Sequence, residues 1–417
     1  MNNLYMPEQH EPLRQIPWSE NVVKNEIERI YNTCLDSFEY ENLWPLHPDT
    51  RESYKVCSSI TGVWNGMAGT FWALKTLKDK NPHFKDYSFT TKYLPLLEQQ
   101  QAHCLKDMLP EFGIDPESVG YLLGYSGTLL VWWRLLQDKK LLLKLERYIR
   151  VNLDDNNNEF MWSTSGTALV AWFLYQHTND EKWVNLFQLS AKRILKTWHY
   201  NNDGNYLWHQ DMYKVKNKFL GLVHGFAGNV AVLLQGFDLL DKQQQDILIK
   251  QGIETFVNTA KVNDSYANWT AAYTEPGQVH VWQDFNSKFF LQLCHGAPSM
   301  LISLAKLWPY MGEKVRDVFI KGANLIWDAG PLVKPWGLCH GTAGNGYAFL
   351  KLYKLTGDKI WYERALQFAM HAIHQYETMR DHYACIRTDA WCGDLGLALY
   401  LQDCIDQSDK FPMMDYF

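Results

Sequence analysis

An all-α fold, an α/α toroid of seven helical hairpins with an inner ring of helices inside an outer ring, is what this sequence predicts, on three observations. A turn of small residues, often Gly-x-x-Gly, recurs seven times; each copy leads directly into a strongly apolar helical run; and helices with one apolar and one polar face lie between the copies. A helix that is apolar all round belongs inside, and one with a polar face belongs outside. Recurrence on this scale marks a repeat architecture. Closing the repeats into a ring covers both terminal units, which an open solenoid would have to cap. The 417 residues are therefore expected to form one toroid over residues 51–417, preceded by an arm and first helix over residues 1–50, instead of the two or three domains that length alone suggests.

Residues 1–18 read as an extended arm. Ser19 reads as an N-cap, and Val23, Ile27, Ile30 and Cys34 recur at helical spacing, so an amphipathic helix is expected to run to about Asp36. The first two copies of the turn are Asn65-Gly66-Met67-Ala68-Gly69 and Leu123-Gly124-Tyr125-Ser126-Gly127; the third, Trp162-Ser163-Thr164-Ser165-Gly166, has serine for its first glycine. The fourth is His224-Gly225-Phe226-Ala227-Gly228, and the fifth is Cys294-His295-Gly296-Ala297-Pro298-Ser299. The sixth and seventh are His340-Gly341-Thr342-Ala343-Gly344 and Cys392-Gly393-Asp394-Leu395-Gly396. Their spacing varies from 39 residues (Gly127 to Gly166) to 71 (Gly228 to Ser299). After the sixth copy, Thr356-Gly357-Asp358 breaks the chain, and Trp361, Ala365, Phe368 and Ala372 then mark an amphipathic outer helix. Two stretches interrupt the rhythm: Asp154–Glu159, and Lys261–Phe289 with its Pro276-Gly277. The second enters the Cys294 turn directly, and long irregular segments of this kind are usually functional or disordered, so it is expected over the mouth of the ring.

Composition narrows the function. With 47% apolar and 21% charged residues the chain can bury a large core, and its 18 Trp, 23 Tyr and 20 Phe can wall a cavity or fill the space between many helices. A net charge of −6 supplies no basic face for nucleic acid. The least charged stretch, Val119–Trp133, is too short and too interrupted by Gly120, Gly124 and Gly127 to cross a membrane. Met1–Trp18 has no secretory pattern, so a cytoplasmic location is expected, with delivery into another cell left open. Cys34, Cys57, Cys104, Cys294, Cys339, Cys385, Cys392 and Cys404 are widely spaced, which favours reduced thiols over a disulfide framework.

The chemistry concentrates at the turns. Cys339-His340 sits in Gly337-Leu338-Cys339-His340-Gly341-Thr342-Ala343-Gly344-Asn345-Gly346, and Cys294-His295 occupies the matching place one copy upstream. Thiolate and neutral imidazole are the ligands zinc prefers, and a catalytic zinc usually has three protein ligands and one open position; Cys294, Cys339 and His340 would make such a set. Neighbouring side chains diverge along a helix, but an irregular glycine turn lets both face one ion. The competing reading is a buried cysteine beside a hydrogen-bonded histidine. The same string, Gly341-Thr342-Ala343-Gly344-Asn345-Gly346, follows no strand and has the wrong spacing for a nucleotide-binding turn.

These turns, with Cys294-His295-Gly296-Ala297-Pro298, Gly337-Leu338-Cys339-His340-Gly341 and His224-Gly225-Phe226-Ala227-Gly228, resemble the lanthionine synthetase C family over about residues 55–405, and look closer to its LanC-like glutathione-binding branch than to the bacterial cyclases. The resemblance implies an α/α toroid with zinc held by Cys294, Cys339 and His340. It implies Michael addition of a thiol to dehydroalanine or dehydrobutyrine: a peptide cysteine in the cyclases, glutathione in the LanC-like branch, where the olefin comes from phosphoserine or phosphothreonine. A free thiol has a pKa near about 8.5, so a metal that favours its deprotonation suits the reaction. His224 falls on the acid–base position, and histidine suits that work near neutral pH. His295 is a further candidate, where the cyclases keep no histidine, and Glu159 is the nearest match to their catalytic aspartate. Lys334 and Arg387 match basic positions expected to bind glutathione carboxylate or the phosphate of a phosphopeptide or phosphoprotein. Protein kinases are among the partners the branch implies.

Ser299 replaces a family glycine, as Ser163 does in the third turn. Cys392, by ring geometry, could also approach the zinc, and a fourth protein ligand there would close the site to substrate. Rival readings are a prenyltransferase-like or glycosidase-like toroid, a binding module without turnover, and a metal that only holds the ring together. Asp394 is the only carboxylate at the turns, against the paired carboxylates of a glycosidase, and Cys-Cys-His differs from a prenyltransferase Asp-Cys-His set.

Overall fold

Helices follow from the sequence in the order expected, and they close into a ring. The computed structural model describes residues 4–40, 43–48, 61–115, 117–201, 203–334, 336–383 and 385–417; Cys57 and the boundary at residues 50–51 lie outside the described residues. The inner ring consists of α2 (Met67–Lys80), α4 (Tyr125–Leu136), α6 (Thr164–Thr178), α8 (Phe226–Gln235), α10 (Ala297–Leu304), α12 (Thr342–Thr356) and α14 (Asp394–Ile405). The outer ring consists of α1 (Glu20–Asp36), α3 (Leu94–Met108), α5 (Lys139–Asn152), α7 (Glu181–Lys196), α9 (Lys242–Thr259), α11 (Glu313–Ala329) and α13 (Lys359–Tyr383). Two single-turn helices, Ser88–Thr91 and Gln283–Asn286, lie between them.

Burial separates the two rings as the periodicity predicts. Every residue of α8 is buried, and so is all of α14 except Ile405. The outer α7 buries Trp183, Val184, Leu186, Phe187, Ser190, Ala191 and Ile194 and turns its charged residues outward. Each inner helix packs on the next, and α14 packs back on α2, so the ring has no free end. The last inner helix packs on α1, from before the first inner helix, as its outer partner. Ser19 caps α1, its hydroxyl accepting from the Val22 amide at 3.5 Å. The arm ahead of it is tied to α13: Glu11 meets His371 Nε2 at 2.8 Å and accepts from Gln375 Nε2 at 2.7 Å.

Close backbone packing explains the second glycine of the turns. A Cβ at Gly69, Gly127, Gly166, Gly228, Gly344 or Gly396 would lie 1.8–2.2 Å from the carbonyl oxygen six residues earlier. In the fifth copy Ser299 takes this place, and its hydroxyl accepts the Leu222 amide of the fourth turn at 2.6 Å. The first-position residue is extended in the third turn (Ser163 φ −103°), so serine is tolerated there. Gly296 is different: its φ of +84° lies in the left-handed region.

Among the described residues, strands are confined to three short hairpins between inner and outer elements: β1 (His199–Tyr200) with β2 (Tyr206–Leu207), β3 (Gln210–Met212) with β4 (Val215–Asn217), and β5 (Lys261–Val262) with β6 (Ala267–Asn268). Among the described residues no helix is long and apolar enough to cross a membrane.

Candidate metal centre and active site

All seven turns meet at one end of the ring, linked in a circuit of hydrogen bonds. Backbone amides carry four of the links: Val63 to the Leu122 carbonyl (2.8 Å), Leu122 to Met161 (3.0 Å), Cys339 to Trp391 (2.7 Å) and Trp391 to Trp64 (3.2 Å). Side chains carry the other three. Asn229 Nδ2 donates to the Asn158 carbonyl (2.7 Å), the Leu222 amide to Ser299 Oγ (2.6 Å), and Asn345 Nδ2 to the Leu291 carbonyl (2.9 Å). Residues far apart in sequence are thereby held at one rim.

Cys294, Cys339 and His340 come together there, their ligand atoms all within 4.8 Å of one another. Cys339 Sγ is 3.8 Å from His340 Nε2, and Gln292 Nε2 donates to Cys294 Sγ at 3.1 Å. The donor set fits a soft divalent metal such as zinc: two sulfurs and one imidazole nitrogen converge, and the adjacent Cys339 and His340 both precede the first residue of α12. The charges are arranged for it. Burial raises the Cys294 thiol, but the Cys339 thiol and the His340 charge outweigh burial and hold Cys294 well below its ordinary value. Burial and the neighbouring sulfurs push Cys339 well above it. Burial would lower His340, yet the negative charge at Cys294 raises it to about 10. The cluster therefore favours charge on the Cys294 sulfur, the state in which sulfur binds metal.

Facing these three side chains is a cavity of about 560 Å³, lined by Trp64, Tyr213, His224, Trp282, Phe285 and His295 among others. That volume lies within the range of small-molecule sites. His295 packs against Phe285 and Phe290, and its Nδ1 is buried with no hydrogen-bond partner among the described residues. The irregular segment 261–289 contributes Val281, Trp282, Asp284 and Phe285 to the wall, which is where the sequence put it.

Glu159 and His224 form a pair on the same rim. Glu159 is fully buried at the N-terminus of α6, where its carboxylate accepts the amides of Met161 (2.8 Å), Trp162 and Ser163 (3.0 Å). The carboxylate thereby satisfies three buried amides of the turn that leads into α6. It also meets His224 Nδ1 at 3.2 Å, which assigns the hydrogen to Nδ1 and leaves Nε2 as an acceptor. Trp162 stacks on the imidazole, with ring centroids 5.3 Å apart at 26°. Tyr213 OH lies 2.9 Å from Nε2. The sequence reading missed Tyr213, because its place depends on a β3–β4 hairpin that no turn dipeptide announces.

Lys334 and Arg387 do not line that cavity. They share a smaller one of about 180 Å³ with Gly337, His340, Gly341 and Cys392, so His340 stands in the wall between the two spaces. Lys334 is exposed, with no ion pair among the described residues, whereas Arg387 Nε is 3.2 Å from Asp389 Oδ2. Burial opposes the Arg387 charge, but Asp389 more than compensates and holds it above its ordinary value. Cys392 contacts Cys339 and His340 yet falls outside the three-ligand set. Cys34 and Cys404 are also free thiols.

Fold and site together define an α/α toroid with a thiol–imidazole cluster at its mouth, in a geometry that could hold a metal ion. The chain belongs to the lanthionine synthetase C-like protein family, whose sequence model matches residues 61–415. It is 35% identical over 156 residues to the LanC-like protein GCL1 of Arabidopsis thaliana, covering 37% of this chain and 32% of the relative. It is 27% identical over 165 residues to a glutathione S-transferase, LANCL1, of Danio rerio, covering 39% of this chain and 36% of the relative. The alignments thus span about a third of the length of these curated relatives. Among solved structures, nisin cyclase has a TM-score of 0.58 at 16% identity, covering 92% of this chain and 94% of that one, a likeness of fold.

Proposed function

We propose that this chain is a zinc-dependent enzyme that adds a thiol, glutathione, to dehydroalanine or dehydrobutyrine in a peptide or protein and so forms a thioether. The observation that carries the reading is the convergence of Cys294, Cys339 and His340 on the same cavity as the Glu159–His224 pair. Zinc at the three ligands would supply a Lewis acid that lowers the pKa of an incoming thiol at its open position. The protein's own residues handle the rest. The sulfur lone pair attacks the β-carbon, the double-bond electrons move into an enolate, and His224, held by Glu159, takes part in moving a proton to the α-carbon. Trp64, Trp282 and Phe285 narrow the water-exposed volume around the reacting atoms. Lys334 and Arg387, behind His340, suit a carboxylate of glutathione or a substrate phosphate. His295, with an unpaired buried Nδ1, is a second acid–base candidate. The free thiols of Cys34, Cys294, Cys339, Cys392 and Cys404 suit a reducing, cytoplasmic setting.

The test is mass spectrometry of a dehydroalanine-containing peptide incubated with glutathione and zinc-loaded protein, run beside Cys339→Ala. An adduct of glutathione mass formed only by the intact protein supports the reading. Loss of a free cysteine in a substrate peptide without change of mass would instead identify a lanthionine-forming cyclase. No adduct from either peptide, with glutathione or a phosphoprotein such as a kinase bound, would identify a binding module.

A further inference from the structure

Both ring nitrogens of His224 are already engaged, which leaves the imidazole without a free edge toward substrate. Nδ1 faces Glu159 at 3.2 Å and Nε2 faces the Tyr213 hydroxyl at 2.9 Å, while Trp162 covers one ring face and Phe219 packs 6.0 Å away. The group of this chain that reaches the cavity beyond Nε2 is the phenol of Tyr213, which lines the cavity with Cys294, Cys339 and His340. Its ring stands perpendicular to the imidazole (89°) and leans on Trp282 from the irregular segment, with centroids 5.6 Å apart.

The backbone holds Tyr213 there against local preference. Met212 pairs with Val215, so Tyr213 and Lys214 form a two-residue hairpin loop, with φ of +54° and +61°. A loop with both central residues left-handed is the type that selects Asn-Gly, and a bulky aromatic residue in this conformation is strained. Strain retained at one residue that points into a cavity is a reason to look for function at that residue.

We propose that Tyr213 is the proton donor to the α-carbon, with His224 and Glu159 behind it as a relay. This rests on the thiol-addition reading. The Tyr213 oxygen takes the thiol's proton as its own hydroxyl proton passes to His224 Nε2, giving an imidazolium stabilised by the Glu159 carboxylate. The sulfur pair forms the S–Cβ bond and the olefin pair becomes the enolate. Tyr213 then gives its hydroxyl proton to the α-carbon while His224 Nε2 returns a proton to the phenol oxygen. The net change is one S–H and one C=C exchanged for one S–C and one C–H. Because the phenol is fixed on one side of the cavity, the proton arrives on one face of the enolate and the product has one configuration.

The experiment is addition of glutathione to a dehydroalanine peptide, with rate and α-carbon configuration read for wild type, Tyr213→Phe, the double variant Tyr213→Asn with Lys214→Gly, and His224→Asn. Tyr213→Phe is expected to keep its zinc content and lose about 10²-fold or more in rate, the scale of general acid catalysis. Its residual adduct should contain both configurations. The Asn-Gly loop should unfold at higher urea than wild type while showing the same loss, which separates a folding defect from a catalytic one. His224→Asn should be slow but keep a single configuration. Wild-type rate in Tyr213→Phe, or a slowed reaction that still gives one configuration, overturns the assignment of Tyr213 alone. No adduct from the wild type overturns the thiol-addition reading and this assignment with it.

Discussion

Alanine at Gly344 tests whether the turn glycines exist for close backbone approach. In an exposed helix this change is expected to stabilise by about 1 kcal/mol. Here the new Cβ would stand 1.8 Å from the Leu338 carbonyl oxygen and 2.8 Å from its carbon, where side-chain carbons keep at least 3.0 Å. The backbone must retreat by about 1.2 Å, since no rotamer can relieve a contact between Cβ and main chain. The Gly344 amide bond to the Gly337 carbonyl, 3.3 Å, would be disturbed as well. Together these predict a loss of about 3 kcal/mol, toward the upper end of overpacking costs. Leu338 immediately precedes Cys339, so the same shift displaces a proposed ligand, and zinc affinity should fall about 10-fold or more. Gly69→Ala is the control: its Cβ would meet the Val63 carbonyl at 2.2 Å, in a turn that carries no ligand. Urea unfolding and competition against a chromophoric chelator measure the two quantities. Both variants should lose stability and only Gly344→Ala should lose zinc. A Gly344→Ala protein as stable as wild type, with undiminished zinc affinity, refutes the reasoning.

Other consequences are equally accessible. Glu159→Gln removes the charge that orients His224 and should lower the rate of thioether formation about 10²-fold with zinc content unchanged, measured by steady-state kinetics and metal analysis. Ser299→Ala keeps the Cβ but leaves the buried Leu222 amide without its acceptor, and should cost about 1–3 kcal/mol in urea unfolding. Asp403 carries a pH signature. Burial pushes it up to about 6 despite Lys80 at 2.6 Å and the Tyr347 hydroxyl at 2.7 Å. The native chain therefore holds a proton that the unfolded chain releases, so this contribution to stability is complete below about pH 4 and is lost as pH rises through about 6. Urea midpoints between pH 5 and 8 should fall with rising pH in the wild type, and Asp403→Asn should flatten that part of the curve.

Much of this architecture is legible in the sequence because inner-helix burial and turn packing leave local marks. An apolar run such as Phe226–Gln235 has no polar face to turn outward, and each Gly-x-x-Gly registers a backbone contact six residues back. The convergence of Cys294, Cys339 and His340 could be read from the recurrence of one turn, since recurrence in sequence became proximity in the ring. Glu159 was harder to read: it lies in a polar stretch that resembles a solvated loop, and only the fold shows it buried under three amides. The pairing of α1 with α14 joins the beginning of the described chain to its last inner helix, which no local pattern encodes. Tyr213 was hidden because Tyr-Lys gives no hairpin signal, its turn being held by surrounding contacts against its own preference. The tail after α14 was equally silent. It packs against the inner ring, where Tyr121 OH donates to the Met413 carbonyl at 2.8 Å and Lys351 pairs with Asp415 at 2.6 Å.

Sulfur-to-nitrogen coordination of the bound zinc, read by X-ray absorption on the zinc-loaded protein and on Cys392→Ser, tests the central claim most directly. The account predicts one zinc per chain with two sulfurs, one imidazole nitrogen and one light exchangeable ligand, unchanged in Cys392→Ser. Adding glutathione should replace the light ligand with a third sulfur. Three sulfurs before glutathione is added, falling to two in Cys392→Ser, would mean that Cys392 closes the site and that the metal is structural, which contradicts thiol addition at this centre.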